Sequence, residues 1–374
     1  LDKVMISLQY VVWLQRFTPI ILLGLLGVIA SCKDDDPAPP TTRTYRMGFQ
    51  NSAPRFDNFD LILQSLELWT QRADAAMITT EVPWDSIYAG KSMIKYVTNN
   101  YLGLVNYYRD KKFKLWIYID PQNGLNRASD ANFLVANGKS IAQDDVQKLY
   151  RRFVVVMDSL LHPDHLGLAL ETNLIRAAST PAIYAGVKKV ANDAVADVRA
   201  IDKNVLLSVS VQADFAWGRL LGSGTYIGIA QDFIDFPFVQ ELGISSYPYF
   251  DFSKPEDIPI DYYSRLVEGN SLPIFISEGG WTSQTFVGPN QKEIVSDATK
   301  QKNYMIRQSQ LLDQAGAIGL FQLLFTDIDL TSIPSSVDPS IKYYAYLGLV
   351  DINFQLKQSL SEWDLIFNRT LTSP

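Results

Sequence analysis

The chain has 374 residues, 47% hydrophobic and 20% charged, enough for one large globular core or two small ones. A formal net charge of -7, with no basic stripe interleaved with aromatics, argues against nucleic acid as a partner. A single cysteine, Cys32, excludes an intrachain disulfide and a thiolate metal cluster. Aromatic residues make up 12% of the chain, with 19 Tyr and 7 Trp, a composition suited to stacking on sugar faces.

At the amino end, Arg16 precedes an apolar run from Pro19 to Ser31 that closes on small residues. The run is shorter than the roughly 20 residues a membrane-spanning helix needs, and it reads as a secretory signal peptide over residues 1–31. Ile29, Ala30, Ser31 and Cys32 resemble the bacterial lipoprotein signal, which implies cleavage before Cys32 and a lipid on that cysteine. Residues 32–43 are acidic and proline-rich and are expected to be a solvated tether. Lys33 followed by Asp34, Asp35 and Asp36 resembles the acidic tag of surface lipoproteins of the Bacteroidetes. That resemblance implies an outer-membrane lipoprotein exposed at the cell surface, with polysaccharide-utilisation proteins as partners.

From residue 44 to 374, runs of β-formers alternate with amphipathic segments. Strands are predicted over 44–50, 75–84, 113–121, 165–173, 204–214, 242–250, 273–281 and 317–329. Helices are predicted over 57–73, 92–110, 144–161, 181–200, 226–239, 259–267, 296–314 and 359–371, with caps at Asp57, Ser92, Thr180 and Ser296. Strict β-then-α alternation predicts parallel strands with right-handed crossovers, and eight such units predict one α/β domain, a single (β/α)8 TIM barrel. An open doubly wound sheet would place a glycine-rich phosphate turn after its first strand. Asn51, Ser52, Ala53 and Pro54 stand there instead, and the glycines of 222–228 have the wrong spacing and no lysine.

In such a barrel, chemistry gathers at the carboxyl ends of the strands. Those ends carry Gln50, Glu81, Trp84, Asp120, Glu171, Asn173, Gln212, Asp214, Tyr247, Tyr249, Glu278, Trp281, Gln322, Asp327 and Asp329. A ring of carboxylates, amides and aromatics can bind many hydroxyls, and no cofactor or metal is expected. His162 and His165 precede the fourth strand and belong at the opposite face, which removes Ser-His-Asp chemistry and the zinc spacings. Paired carboxylates are what glycoside hydrolysis uses.

Three segments carry a resemblance. Residues 276–283, ISEGGWTS, are similar to the nucleophile motif of plant-type β-1,3-glucanases; residues 243–250, GISSYPYF, are similar to strand six of endo-β-1,4-galactanases; residues 346–357, YLGLVDINFQLK, resemble a segment near the carboxyl end of related enzymes. Together they resemble the clan of retaining glycoside hydrolases built on (β/α)8 barrels. The resemblance implies a polysaccharide or oligosaccharide substrate, Glu171 as acid/base at the end of strand four and Glu278 as nucleophile at the end of strand seven, with Glu81 as the spare acid. Tyr247, Trp281, Asn173, Trp84, Glu81, Asp120 and Gln322 are the expected substrate-binding residues. The clan places Asn immediately before its acid/base; here that position is Leu170, and Asn173, two residues beyond Glu171, is the expected substitute. The alternative reading is a non-catalytic glycan-binding barrel at the cell surface.

Overall fold

The computed structural model describes residues 40–372 apart from 56, 221, 223 and 336. The signal segment, Cys32 and most of the tether lie outside the described residues. Among those described, no helix is long and apolar enough to cross a membrane.

Eight parallel strands form the central sheet: β1 (Arg46–Phe49), β2 (Ala75–Glu81), β3 (Lys114–Asp120), β4 (His165–Gly167), β5 (Leu206–Gln212), β6 (Glu241–Ser246), β7 (Ile274–Gly279) and β8 (Gly319–Gln322). Their spatial order is β1-β8-β7-β6-β5-β4-β3-β2. A parallel bridge between Gln50 and Met77 joins the two ends, and the Asp74 N–H donates to Met47 O at 2.9 Å. The sheet is therefore a closed barrel, as the alternation predicts. Gly48 permits the closure, because a Cβ there would lie 2.2 Å from Ala75 O.

The helices cover the outside. The principal ones are α1 (Phe59–Trp69), α2 (Gly103–Asp110), α3 (Asp144–Leu161), α4 (Pro181–Ile201), α5 (Ala230–Asp235), α6 (Ala298–Ala315) and α7 (Gln358–Phe367). Ser92 and Thr180 cap as expected, but α1 is capped by Asn58 and α6 by Asp297. Ser296 is spent otherwise: its hydroxyl donates to Thr282 O at 2.7 Å and accepts from Trp281 Nε1 at 3.0 Å. The 92–110 segment is interrupted by a π turn over Thr98–Leu102, and the 259–267 segment forms only a 3-10 turn, Ser264–Val267.

Strand alternation divides the core into two. One set of buried side chains lies between sheet and helices, while Ala75, Met77, Trp116, Tyr118, Leu170, Phe275 and Phe321 form a separate cluster inside the barrel. Tyr118 lies across that interior, where an added Cβ at Gly167 would fall 2.3 Å from its ring and one at Gly243 would fall 2.4 Å from its hydroxyl. Two glycines, on β4 and β6, make room for one large ring. At the amino-terminal end, His165 stacks on Trp116 at 3.6 Å, and its Nδ1 pairs with the Glu241 carboxylate at 2.8 Å. This histidine is a satisfied core residue far from the strand ends that matter.

Candidate active site

The site is built around Glu171 and Glu278. β4 is shorter than predicted, ending at Gly167, and Glu171 caps the short helix Thr172–Ala178 with left-handed φ 47° and ψ 47°. A non-glycine residue held there costs of order 1 kcal/mol or more and persists only where its surroundings over-determine it. They do. The Glu171 N–H donates to Ser210 Oγ at 2.9 Å, Tyr150 donates to Leu168 O at 2.7 Å, and Thr172 Oγ1 donates to Asp232 at 2.8 Å.

Glu278 is aimed by a bulge. Along β7, Phe275 points into the barrel, so strict alternation would turn Ser277 inward and Glu278 outward. Pairing with β6 slips instead: Ile244 faces Ile276, but Ser245 faces Glu278. One extra residue thus brings the carboxylate to the inner rim, a use of bulges common beside active sites. Gly279 lies where a Cβ would be 2.5 Å from Ser246 O, and Gly280 has φ 152° with room only for hydrogen against the Gln322 amide.

Between the two acids stand groups the sequence reading did not name. Arg127, in the long loop after β3, donates from Nε to Glu171 at 2.8 Å and from Nη1 to Asp120 at 2.5 Å. Ser245 donates to the other Glu171 oxygen at 2.6 Å. The Arg127 loop is preformed: Asn123 Oδ1 accepts from the N–H groups of Leu125 and Asn126, and Asn123 Nδ2 donates to Asn132. Burial opposes the Arg127 charge, but Asp120 and Glu171 override it and hold the guanidinium charged. Tyr344 meets the Tyr247 ring edge-on at 4.9 Å, and both phenols have raised pKa values, through burial first and then through the negative charge of the two glutamates.

Glu278 retains some solvent exposure at the mouth, yet protein surrounds its carboxyl and solvates it poorly. Burial first, then the Glu171 charge, pushes its pKa up to about 7, against the opposing pull of Arg127 and Ser245. Glu81 is exposed at the rim, accepts the Gly124 N–H at 2.9 Å, and is raised by burial.

Several expected substrate contacts are corrected by these surroundings. Asn173 is not on a strand: its amide donates to Gln212 O at 2.9 Å and accepts from Gln212 N at 2.8 Å, stitching the ends of β4 and β5. Asp120 is 2% exposed, and its carboxylate serves Arg127 and the Gln122 N–H. Trp84 and Trp281 are 2% and 1% exposed, so neither offers a face to a sugar. Trp281 packs on Tyr249 and Tyr304 instead. Gln322 is fully buried and donates to Leu347 O at 2.9 Å. Leu170 sits in the barrel interior, so no amide stands before Glu171. The structure therefore brings together Glu171, Glu278, Glu81 and Tyr247 from the predicted set.

Solved structures similar to this chain include an exo-β-1,4-mannosidase from Opitutaceae bacterium strain TAV5, with 16% identity, a TM-score of 0.62, and coverage of 87% of this chain and 59% of that one. A GH5_18 protein from Bifidobacterium longum subsp. longum, solved with Manβ1-4GlcNAc, shows 14% identity and a TM-score of 0.57 over 88% of this chain and 80% of that one. A β-glucuronidase from Ruminococcus gnavus shows 13% identity and a TM-score of 0.53 over 87% and 50%. The shared feature is the (β/α)8 barrel. The chain spans well under two thirds of the length of the mannosidase and the glucuronidase. Neither a family model nor a curated protein sequence matches it.

Proposed function

We propose that the protein is a retaining glycoside hydrolase acting on a polysaccharide or oligosaccharide. The observation that carries this reading is the pair Glu171 and Glu278, delivered to one mouth from the ends of β4 and β7 by a strained turn and a bulge. Glu171 protonates the glycosidic oxygen while ionised Glu278 attacks the anomeric carbon; Glu171 then takes a proton from the water that releases the sugar. Resemblance to the solved glycosidases supports the choice of chemistry. The test is release of reducing ends from a panel of neutral oligosaccharides, with the first-formed anomer read by proton NMR. Retention supports the mechanism, and inversion sinks it.

A second reading, a barrel that binds glycan without cleaving it, draws on two observations. Leu170 supplies no amide, and Arg127 clamps the carboxylate that must act as the acid. Glycan affinity with no reducing-end release from the panel would favour it.

Charge narrows the substrate. Arg127 is the cation whose field reaches Glu278, Glu81 and Tyr344, and two carboxylates already occupy it. A uronic acid brought to this mouth meets like charge, and among the described residues the cation at the pair, Arg127, is already taken by Asp120 and Glu171, a cost of several kcal/mol. Neutral aryl glycosides are expected to exceed the matching glucuronide at least about a hundredfold in kcat/KM, as 1.4 kcal/mol is tenfold. Equal rates would refute this.

From the sequence of residues 1–43 we also propose an outer-membrane lipoprotein anchored through Cys32, displayed on the cell surface with polysaccharide-utilisation partners. Labelling of whole cells with a fatty-acid analogue should mark the wild type and spare Cys32→Ala.

A further inference from the structure

The two carboxyl groups of the site have unlike surroundings. Glu171 receives a guanidinium N–H on one oxygen and a hydroxyl on the other, at 2.8 and 2.6 Å, and both donors favour the anion. Its neighbour has no ion pair among the described residues. Glu278 faces Glu171 at the end of β4, Asp120 and Tyr118 on β3, Arg127 beyond β3, Tyr247 after β6, and Tyr344 in the segment after β8. Of these, Arg127 alone is cationic, and it is bonded to Glu171 and Asp120.

We infer that Arg127 is a positioning residue that sets the order of protonation: it holds Glu171 as the anion, so the free protein keeps the proton of the pair on Glu278, and hydrolysis runs through the minority form in which that proton sits on Glu171. The inference rests on the assignment of Glu171 as acid/base and Glu278 as nucleophile. One proton is exchanged between two carboxyls, and nothing else is consumed. Asp120 keeps Arg127 in place when Glu171 becomes neutral, because its bond to Nη1 is separate from the Nε bond to Glu171. The upward displacement of the Glu278 pKa agrees with this geometry.

The consequence is a bell-shaped pH profile whose limbs are exchanged relative to the roles. As pH falls, the pair takes up a second proton, no carboxylate is left to attack, and activity is lost. As pH rises, the last proton of the pair leaves Glu278, and activity is lost again. Arg127→Gln removes the cation that favours the anionic form of the pair, so the pair takes up its second proton more readily and the acid limb of kcat/KM moves up by about one pH unit or more. The alkaline limb moves less, because Glu278 has no bond to Arg127. Arg127→Lys keeps a cation and should hold the acid limb near its wild-type position. An acid limb unmoved in Arg127→Gln, with kcat/KM merely lowered, would overturn the inference.

Carboxyl carbon-13 NMR of the wild type, Glu171→Gln and Glu278→Gln gives a readout that needs no turnover. The signal titrating at the higher pH should vanish in Glu278→Gln and titrate lower in Glu171→Gln, where the neighbouring charge is gone. Loss of that signal in Glu171→Gln instead would refute the assignment, even if Arg127→Gln fails to fold. A wild type that titrates as expected but cleaves no glycoside would sink the hydrolase reading while confirming where the proton rests.

Discussion

Replacing Glu278 with glutamine is expected to lower kcat/KM for glycoside hydrolysis by roughly a thousandfold or more while making the folded protein more stable at pH 8. The first effect follows from the role: an amide cannot form the covalent intermediate, and loss of a group that acts as one unit with its partner removes most of the rate. The second follows from the surroundings. The Glu278 pKa stands at about 7, raised by burial and then by the Glu171 charge. A carboxyl raised above its unfolded value costs stability as pH rises from its ordinary value, near 4.5, and the cost is complete above the folded value. Glutamine copies the neutral form and carries no such cost, so a gain of roughly 2–3 kcal/mol is expected at pH 8 and little at pH 4. Thermal melts of both proteins at the two pH values, beside rates on a neutral glycoside, check the pair of effects. Retained hydrolysis would remove Glu278 from the mechanism, and unchanged stability at pH 8 would show that its carboxyl is better solvated than its enclosure implies.

Most of the barrel was legible in the sequence because burial on both faces of a parallel strand leaves a plain apolar signature. Ile117 and Ile119 on β3, or Leu242 and Ile244 on β6, are of this kind, and all eight strands lie where the runs predict them. Strand length was less legible. Residues 165–173 alternate well enough to read as one strand, yet hydrogen bonds to Ser210 and from Tyr150 turn the chain after Gly167 and put Glu171 in the left-handed region. Asn173, expected on the same face as Glu171, consequently bonds to the β5 backbone instead.

The site divides in the same way. Glu278 was found from its motif, whereas alternation from Phe275 would have turned it away, because a bulge is a property of two strands and cannot be read from one. Trp84 and Trp281 looked like sugar platforms by position, but ring burial depends on neighbours such as Tyr304 that are distant in sequence. Arg127 lies in a loop with asparagines and one glycine, where neither periodicity nor capping marks it, and only the fold brings it to Glu171. Ser245 offered a faint signal: it follows Gly243 by two residues and so shares its inward face, though a serine there reads equally well as small filler. Tyr344 offered none.

Replacing Glu171 with glutamine is expected to act in the opposite sense on stability and unevenly on activity. The anion is held by Arg127 and Ser245, so the amide leaves a buried guanidinium with Asp120 as its remaining carboxylate and a weaker acceptor on Nε. A loss on the order of 1–3 kcal/mol is expected at pH 8. On glycans, whose leaving alkoxide must be protonated, the rate should fall by roughly 10²–10⁴, the usual worth of a positioned general acid. Aryl glycosides with an acidic phenol need no such proton to depart, so their first step should be largely spared. Their second step is not spared, because no base remains to activate water; an initial burst of phenol followed by slow turnover is expected. Azide needs no base and should restore turnover of the aryl substrate, with a glycosyl azide as product. Equal losses on both substrate types, with no burst and no rescue, would remove Glu171 from the acid/base role and transfer the search to Glu81, a rim carboxylate whose pKa burial raises. Opposite stability changes in the two glutamine variants would themselves demonstrate that the surroundings favour the charge of one member of the pair and oppose that of the other, Arg127 on the first and burial on the second.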